Sequence, residues 1–287
     1  MHSNTEVINQ WTESAPYWEK HRDAIRGMFQ PVTQALIKEA QITGRERVLD
    51  VATGPGEPAL SIAELLGSEG KVVGTDPVSE MVEAARRECQ RRGLHNATFE
   101  TAFADDLPFP DNSFDTVVSR FGVMFFPSPA DSIREWLRIL KPGGRIAMAV
   151  WHFAERNPFH YSVAQVVERY VESPPPIPDS PDAFRFATPG KLQTVLAEAG
   201  VAATSERLLR FPIRASLSVE DFWTLRSEMS EKLRTKLAGL RKQQILALKR
   251  EVIEALTPYC SDRGVSFPAE VLIVGGLKQL PVEHNVK

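Results

Sequence analysis

The first half of the chain alternates short apolar runs with segments of helical periodicity. Five runs have the length and composition of buried strands, at residues 47–52, 71–76, 97–102, 114–119 and 145–151. Helical periodicity fills the intervals between them, at residues 58–66, 80–92 and 132–140. The order strand, helix, strand predicts a doubly wound, Rossmann-like α/β sheet of mostly parallel strands with right-handed crossovers.

In the second half of the chain, predicted strands and helices no longer alternate regularly. Two more strands are predicted at 206–213 and 269–274, which brings the sheet to seven, and helices are predicted at 158–172 and 189–199. A proline-rich segment at 173–181 indicates a rigid surface connection. A long charged helical stretch at 219–256 has the size of a lid or a dimer contact.

These patterns suggest a domain organisation. We expect an N-terminal helical lid over 1–46 and a core over 47–287. Helical insertions, which would contact the substrate or a second copy, are expected within the core at about 152–187 and 219–257.

Composition narrows the possible partners and cofactors. The chain has 287 residues and a net charge of −3, so it offers no broad basic surface, and we expect no nucleic-acid partner. Its two cysteines cannot build a disulfide framework or a four-cysteine zinc site, and we predict no metal. No apolar run approaches the roughly 20 residues of a membrane helix. We therefore expect a cytoplasmic protein without a membrane span.

A glycine turn after the first strand is the strongest indication of a ligand. Gly54 and Gly56 stand between the first strand and its helix, where the backbone can approach a ligand closely. Asp76 ends the second strand about 20 residues later, the place of a carboxylate that binds ribose hydroxyls. Adenosine binding is the joint prediction. Gly54, Gly56 and Ala59 also fit a nicotinamide dinucleotide fingerprint, and a tight turn without a ligand is the plainer alternative.

Four ordered segments resemble the class I S-adenosylmethionine-dependent methyltransferases, in their small-molecule and quinone-type (methyltransferase type 11-like) branch. The resemblance covers residues 47–151 and rests on VLDVATGPGEPAL, VVGTDPVSEMVEAAR, ADDLPFPDNSFDTVVSRFGVMFF and LRILKPGGRIAMAVW. It implies S-adenosylmethionine as cofactor. The nicotinamide fingerprint does not predict the last two segments.

The resemblance also implies roles for individual residues. Asp50 and the turn would hold the methionine end, Asp76 the ribose, and Met81 would lie near the adenine. Ala104 and Asp105 would meet the adenine, and Ser119 and Arg120 the sulfonium and its amino group. The cofactor-binding residues it implies are Trp18, Asp50, Ala52, Thr53, Gly54, Gly56, Asp76, Pro77, Met81, Ala104, Asp105, Ser119 and Arg120. Many members of this branch carry an acidic residue where Phe103 stands, which leaves the adenine amine to Asp105.

Three aromatic residues precede the first strand, namely Trp11, Tyr17 and Trp18. They form either a helix face packed on the sheet or a lid over the cofactor. In the family resembled this segment often closes over the cofactor, and the face of an electron-rich ring attracts a sulfonium cation.

Methyl transfer from an activated donor depends mainly on aligning the acceptor with the methyl group and excluding water, and a strong catalytic group is less important. A base helps when the acceptor is a phenol or an acidic carbon; we take His152 as the catalytic candidate ahead of His160, although either could be a surface or capping histidine. An aromatic pocket wall predicts a hydrophobic small-molecule acceptor, with candidates Phe121, Phe125, Phe126, Phe153, Phe159, Phe222 and Trp223.

Two other interpretations of the chain stay open: a nicotinamide-dependent oxidoreductase, and a protein that binds S-adenosylmethionine without transferring its methyl group.

Overall fold

The computed structural model describes residues 4–172 and 177–281, with side chains from residue 7 onward. Its centre is one sheet, whose strands are β1 Arg47–Val51, β2 Lys71–Asp76, β3 Ala97–Thr101, β4 Phe114–Arg120, β5 Leu140–Trp151, β6 Ala202–Ala215, β7 Cys260–Ser261 and β8 Gly264–Leu277. Seven strands lie in the order β3-β2-β1-β4-β5-β8-β6, and the two-residue β7 pairs with β8 off this path.

The sheet is doubly wound, as predicted. Strands β1 to β5 pair in parallel, and β8 runs antiparallel to both β5 and β6. Since β1 lies between β2 and β4, the winding reverses at β1, and ligands in such sheets bind beyond the carboxyl ends of the strands at this point.

The helices follow the predicted order with different boundaries. They are α1 Asn4–Lys20, α2 Arg22–Glu39, α3 Ala59–Leu66, α4 Ser79–Arg91, α5 Pro129–Ile139, α6 Pro158–Glu168, α7 Lys191–Ala199, α8 Val219–Met229, α9 Glu231–Ala238 and α10 Lys242–Leu256. The helical stretch predicted at 219–256 consists of three helices. The first break is at Ser230, which ends α8 and whose Oγ accepts a hydrogen bond from Leu233 N in α9. Part of the predicted proline-rich connection, residues 173–176, lies outside the described residues.

Two strand predictions need correction. The sequence predicted a helix at 132–140 and a strand at 145–151, but α5 ends at Ile139 and β5 already begins at Leu140. Residues 141–144 therefore lie within β5, where the pairing with β4 is irregular and its register shifts between Phe114 and Thr116. Strands β6 and β8 are each 14 residues long, longer than the apolar runs at 206–213 and 269–274 suggested. The outer halves of β6 and β8 pair with each other beyond the reach of β5, so their side chains are less uniformly apolar.

The N-terminal helices cover one end of the sheet. Helix α2 packs against β4, β5, β6 and β8 through a buried face that includes Met28, Phe29 and Leu36. Helix α1 packs on α4 and on α8. Within residues 4–172 and 177–281, none of the helices is long and apolar enough to cross a membrane.

Candidate active site

A cavity opens beyond the carboxyl ends of β1, β2 and β4 and is bordered by α1 and α2. Ten of the residues predicted to bind the cofactor line it, namely Trp18, Ala52, Thr53, Gly54, Asp76, Pro77, Met81, Ala104, Asp105 and Arg120. The sheet topology therefore gathers residues that are distant in sequence at one place. Three other predicted residues, Asp50, Gly56 and Ser119, do not line it.

Asp76 is fixed at the cavity by two backbone hydrogen bonds. Its Oδ2 accepts from Gly54 N at 3.0 Å, and its Oδ1 accepts from Val78 N at 3.0 Å. Burial raises the pKa of this carboxyl to about 6, against the two hydrogen bonds that lower it. A carboxylate in this position can accept further hydrogen bonds from the two hydroxyls of a ribose.

The glycine turn has the shape that close approach of a ligand requires. Gly54 has φ +55°, and a Cβ built there would meet no heavy atom within 4 Å. Because Gly54 lines the cavity, this open space belongs to the site. Gly56 has a different role, since a Cβ there would lie 2.6 Å from Leu60 Cδ1. This second glycine permits close packing of the turn on α3.

Asp50 lies behind the turn and does not line the cavity, so its direct contact with the cofactor stays a prediction. It is fully buried; its Oδ2 accepts from Thr53 Oγ1 at 2.7 Å and from Ala59 N at 3.0 Å. Burial raises its pKa to about 7. Asp50 thus joins the turn to the first turn of α3 and acts on the site through Thr53.

Of the two residues predicted to contact the sulfonium and its amino group, one lines the cavity and the other does not. Arg120 lines it; its guanidinium donates to Thr33 Oγ1 at 2.8 Å and to the Glu57 carbonyl at 3.3 Å, and burial lowers its pKa. Ser119 is fully buried within β4 and does not line the cavity itself, although its Oγ would lie 2.8 Å from a Cβ built on the cavity residue Gly122. Its contact with the cofactor stays a prediction.

The predicted adenine end has an exposed carboxylate beside an exposed aromatic ring. Asp105 lines the cavity and is exposed, and Phe103 beside it is 43% exposed. Trp136 Nε1 donates to the Ala104 carbonyl at 3.1 Å and uses one of the two lone pairs of that oxygen. Hydrogen bonding of Asp105 to an adenine amine stays a prediction.

Aromatic rings from three parts of the chain form one wall of the cavity. Trp11 of α1 packs edge-on against Trp18 at 5.6 Å and against Phe125 at 5.2 Å between ring centroids. Phe29 of α2 packs edge-on against Phe121 at 5.4 Å. All five rings line the cavity, so the lid alternative for Trp11 and Trp18 agrees with their position.

Tyr17 is placed elsewhere. The guanidinium of Arg234 on α9 lies over the Tyr17 ring at 4.9 Å, which joins α1 to the C-terminal helices.

Charged residues that the sequence pattern did not single out also border the cavity. Glu88 is 3% exposed and lies 3.0 Å from Arg22 Nε and 2.6 Å from Arg92 Nε. Arg92 also lies 2.7 Å from Glu57. This network, here called the Glu88 cluster (Arg22, Glu57, Glu88, Arg91 and Arg92), fastens α2 to α4 and lowers the pKa of Glu88 to about 2. Its members come from separate parts of the chain, so no local spacing could reveal them.

His152 does not line the cavity, which argues against its predicted role as the catalytic base. Its Nδ1 lies 2.7 Å from Glu270 Oε2 on β8, and it is absent from the residues that line the cavity. The residue before it, Trp151, faces the other side, where its ring stacks on Phe121 at 4.5 Å. Phe153 is exposed, while Phe159, Phe222 and Trp223 are core residues, so of the predicted wall only Phe121, Phe125 and Phe126 line the cavity.

No group of three or more histidine, cysteine or acidic side chains that could hold a metal occurs in the part of the chain that the structure describes.

Comparison with known proteins shows that the chain is similar to methyltransferases. Residues 48–144 match a family model described as a methyltransferase domain. The uncharacterized methyltransferase YcgJ of Bacillus subtilis is 27% identical over 249 residues, which cover 85% of this chain and 89% of that protein. The crystal structure of YcgJ has a TM-score of 0.55 at 20% identity and covers 87% of this chain and 98% of that one, which establishes the shared fold.

Relatives with a named substrate match a shorter segment. Aklanonic acid methyltransferase DauC of Streptomyces sp. (strain C5) is 37% identical over 119 residues, 42% of this chain and 54% of that protein. Demethylmenaquinone methyltransferase of Listeria welshimeri is 41% identical over 100 residues, 35% of this chain and 42% of that protein. Both alignments thus cover about half of the relative or less.

Proposed function

We propose that this chain, a class I S-adenosylmethionine-dependent methyltransferase, methylates a hydrophobic small molecule of aromatic or quinone-like type. One observation carries the proposal: the cavity that holds Gly54 and Asp76 also has the aromatic wall of Trp11, Trp18 and Phe121. A donor seated on the first group and a flat apolar acceptor on the second would share one enclosed space.

The residues of the cavity fit the cofactor. When bound, S-adenosylmethionine supplies a methyl group already activated by its sulfonium. Asp76 would accept the ribose hydroxyls, the open space at Gly54 would admit the backbone-facing side of the cofactor, and Asp105 would accept from the adenine amine. Met81 and Val78, both buried, give the cavity an apolar floor near Asp76.

The aromatic wall would serve the acceptor in two ways. Rings of Phe29, Phe121 and Phe125 offer flat apolar faces against which an aromatic acceptor can stack. Trp11 and Trp18 from α1 would exclude water and orient the acceptor, which is most of what an activated donor requires. Residues 1–46 would then act as the lid of the site, over the core formed by the rest of the chain.

The relatives support the substrate class without defining it. One is named for demethylmenaquinone and another for aklanonic acid, and both match only part of this chain. The match of residues 48–144 to a methyltransferase domain favours S-adenosylmethionine over a nicotinamide cofactor. Binding of the cofactor without methyl transfer is the second candidate, and only turnover separates it from the first.

The test has two stages. Calorimetric titration with S-adenosylmethionine, S-adenosylhomocysteine and NADH should give micromolar binding for the first two alone. A panel of phenols and hydroquinones is then incubated with methyl-labelled S-adenosylmethionine, and labelled product is expected from at least one member. Binding of NADH alone would overturn the cofactor, and cofactor binding without a labelled product would favour the second candidate.

A further inference from the structure

Arg120 lies between the glycine turn and the aromatic wall. It ends β4 and is itself one of the residues that line the cavity. Its guanidinium donates to the Glu57 carbonyl, in the turn before α3, at 3.3 Å and to Thr33 Oγ1 of α2 at 2.8 Å. The guanidinium carbon lies 6.0 Å from the centroid of the Phe29 ring, which belongs to the aromatic wall. Because Arg120 lines the cavity itself, a ligand there can contact it directly.

Three arginines line the cavity, and Arg120 differs from the other two in its partners. Arg22 and Arg92 lie 3.0 and 2.6 Å from the carboxylate of Glu88. In the part of the chain that the structure describes, both hydrogen bonds of Arg120 go to uncharged oxygens, and no carboxylate lies within ion-pair distance of its guanidinium. A desolvated cation without a paired anion is costly, so this place in the fold calls for a reason.

Two carboxyl groups act on Arg120 from beyond ion-pair distance. Burial lowers the pKa of Arg120, against the attraction of Glu57 and Asp50. Glu57 pairs with Arg92, at 2.7 Å. Burial raises the pKa of Asp50 to about 7, so a part of this carboxyl carries no charge at neutral pH. The positive charge of Arg120 is therefore only partly compensated, which favours an anion bound beside it.

The Arg120 guanidinium keeps donors for such an anion. A guanidinium has five N–H groups, and described residues accept hydrogen bonds from two of those of Arg120. Its planar shape suits the two oxygens of a carboxylate. Thr33 is 3% exposed and does not line the cavity, so it holds the guanidinium in place rather than contacting a ligand.

Both molecules of the proposed reaction could bring an anion to this place. The sulfonium and the amino group of S-adenosylmethionine are cationic and would be repelled by a bare guanidinium, whereas its carboxylate would be attracted. An acceptor stacked on Phe29 or Phe121 would also bring its substituents close to Arg120. A carboxylate on either molecule has the charge and the shape that the guanidinium requires.

We propose that Arg120 binds a carboxylate inside the cavity, supplied either by the methionine end of S-adenosylmethionine or by the methyl acceptor. The proposal rests on the proposed function, because it takes the cavity as the common site of donor and acceptor. Arg120 orients the molecule that carries the carboxylate, and no bond forms or breaks there. Thr33 is a positioning residue that acts through Arg120.

The test compares ligands with and without a carboxylate by calorimetry on the full chain. In the cofactor pair, S-adenosylhomocysteine is measured beside 5′-(3-aminopropylthio)-5′-deoxyadenosine, which lacks only the carboxylate. In the acceptor pair, 2-naphthoate is measured beside 2-naphthamide, on free protein and on protein saturated with S-adenosylhomocysteine. We expect wild type to bind the carboxylate about tenfold or more tightly in at least one pair. Arg120→Gln should reduce that preference to below about threefold, and Arg120→Lys should keep part of it.

Further variants separate binding of the carboxylate from general damage to the fold. Arg145→Gln removes a half-buried arginine of β5 that does not line the cavity, and it should keep the preference. Thr33→Val keeps the charge but removes the hydroxyl that holds the guanidinium, so the preference should fall by about twofold or more. Should Arg120→Gln fail to fold, Arg120→Lys and Thr33→Val take its place.

The two pairs also distinguish the source of the carboxylate. Loss of the preference in the cofactor pair assigns it to the donor, and loss in the acceptor pair assigns it to the acceptor. No preference in either pair in wild type would overturn the proposal, as would an unchanged preference in a folded Arg120→Gln or in both variants that replace it. If S-adenosylhomocysteine and its analogue fail to bind, the proposed function fails, and the acceptor pair on free protein still decides whether Arg120 binds a carboxylate.

Discussion

Gly54 and Gly67 form a matched pair that separates backbone strain from cofactor contact. Both have a positive φ, +55° and +58°, and a Cβ built on either would meet no heavy atom within 4 Å. Gly54 lines the cavity, whereas Gly67, with ψ −148°, ends α3 and is exposed. Alanine at either position therefore strains the backbone, and only alanine at 54 enters the site.

The sizes of the two effects can be worked out separately. Alanine in a sparsely populated positive-φ conformation costs about 1–3 kcal/mol, so each variant should melt several degrees below wild type, at about 2–4 °C per kcal/mol for a chain of this size. The methyl group of Gly54→Ala would also press on the bound cofactor, and overpacking costs about 1–3 kcal/mol. That corresponds to a Kd for S-adenosylhomocysteine about 5- to 150-fold weaker, while Gly67→Ala should stay within about twofold of wild type.

Scanning calorimetry and isothermal titration on the same preparations check both numbers. The comparison is internal, because both variants strain the backbone and only Gly54→Ala alters the cavity. A lower melting temperature with unchanged cofactor affinity in Gly54→Ala would refute the position of the cofactor in this cavity. Equal loss of affinity in Gly67→Ala would refute the separation of strain from contact.

Three further predictions concern charge. Burial raises the pKa of the Asp76 carboxyl to about 6, and only its ionised form accepts both ribose hydroxyls. The affinity for S-adenosylhomocysteine should therefore fall as the pH drops below about 6, approaching tenfold per pH unit. In calorimetry from pH 5 to 8, Asp76→Asn should lose this dependence apart from any contribution of Asp50. Glu88→Gln removes the buried carboxylate that Arg22 and Arg92 share and should lower the free energy of unfolding by roughly 2–3 kcal/mol in urea titration. A change under about 0.5 kcal/mol would show that the Glu88 cluster does not stabilise the packing of α2 on α4. Arg226→Met removes a buried charge that has no counter-ion among the described residues and should leave the melting temperature unchanged or raise it by a few degrees, whereas a large fall would show that the guanidinium is needed for folding itself.

The sequence predicted those parts of the site that are built from neighbouring residues. A strand, a glycine turn and a helix are local patterns, so Gly54 and Asp76 could be placed once the parallel sheet was inferred. The structure brings these two residues within hydrogen-bonding distance, at 3.0 Å between Gly54 N and Asp76 Oδ2.

Contacts between distant elements were not predictable in the same way. His152 and Trp151 are adjacent in sequence, and strand alternation sends their side chains to opposite faces. Which of the two side chains points toward the cavity depends on distant elements. Phe29 of α2 packs against Trp151, whereas Glu270 of β8 binds His152. The Glu88 cluster could not be predicted for the same reason, because its residues come from α2, α4 and the turn before α3.

The cavity therefore has two parts with different origins. The part that would hold the cofactor comes mainly from the segment matched by the methyltransferase domain model, residues 48–144. Three of the five rings of the aromatic wall, those of Trp11, Trp18 and Phe29, come from α1 and α2, outside that segment. We therefore expect substitutions of Trp11 or Phe29 to alter the acceptor while Gly54 and Asp76 keep the cofactor, so that one donor could serve differing acceptors.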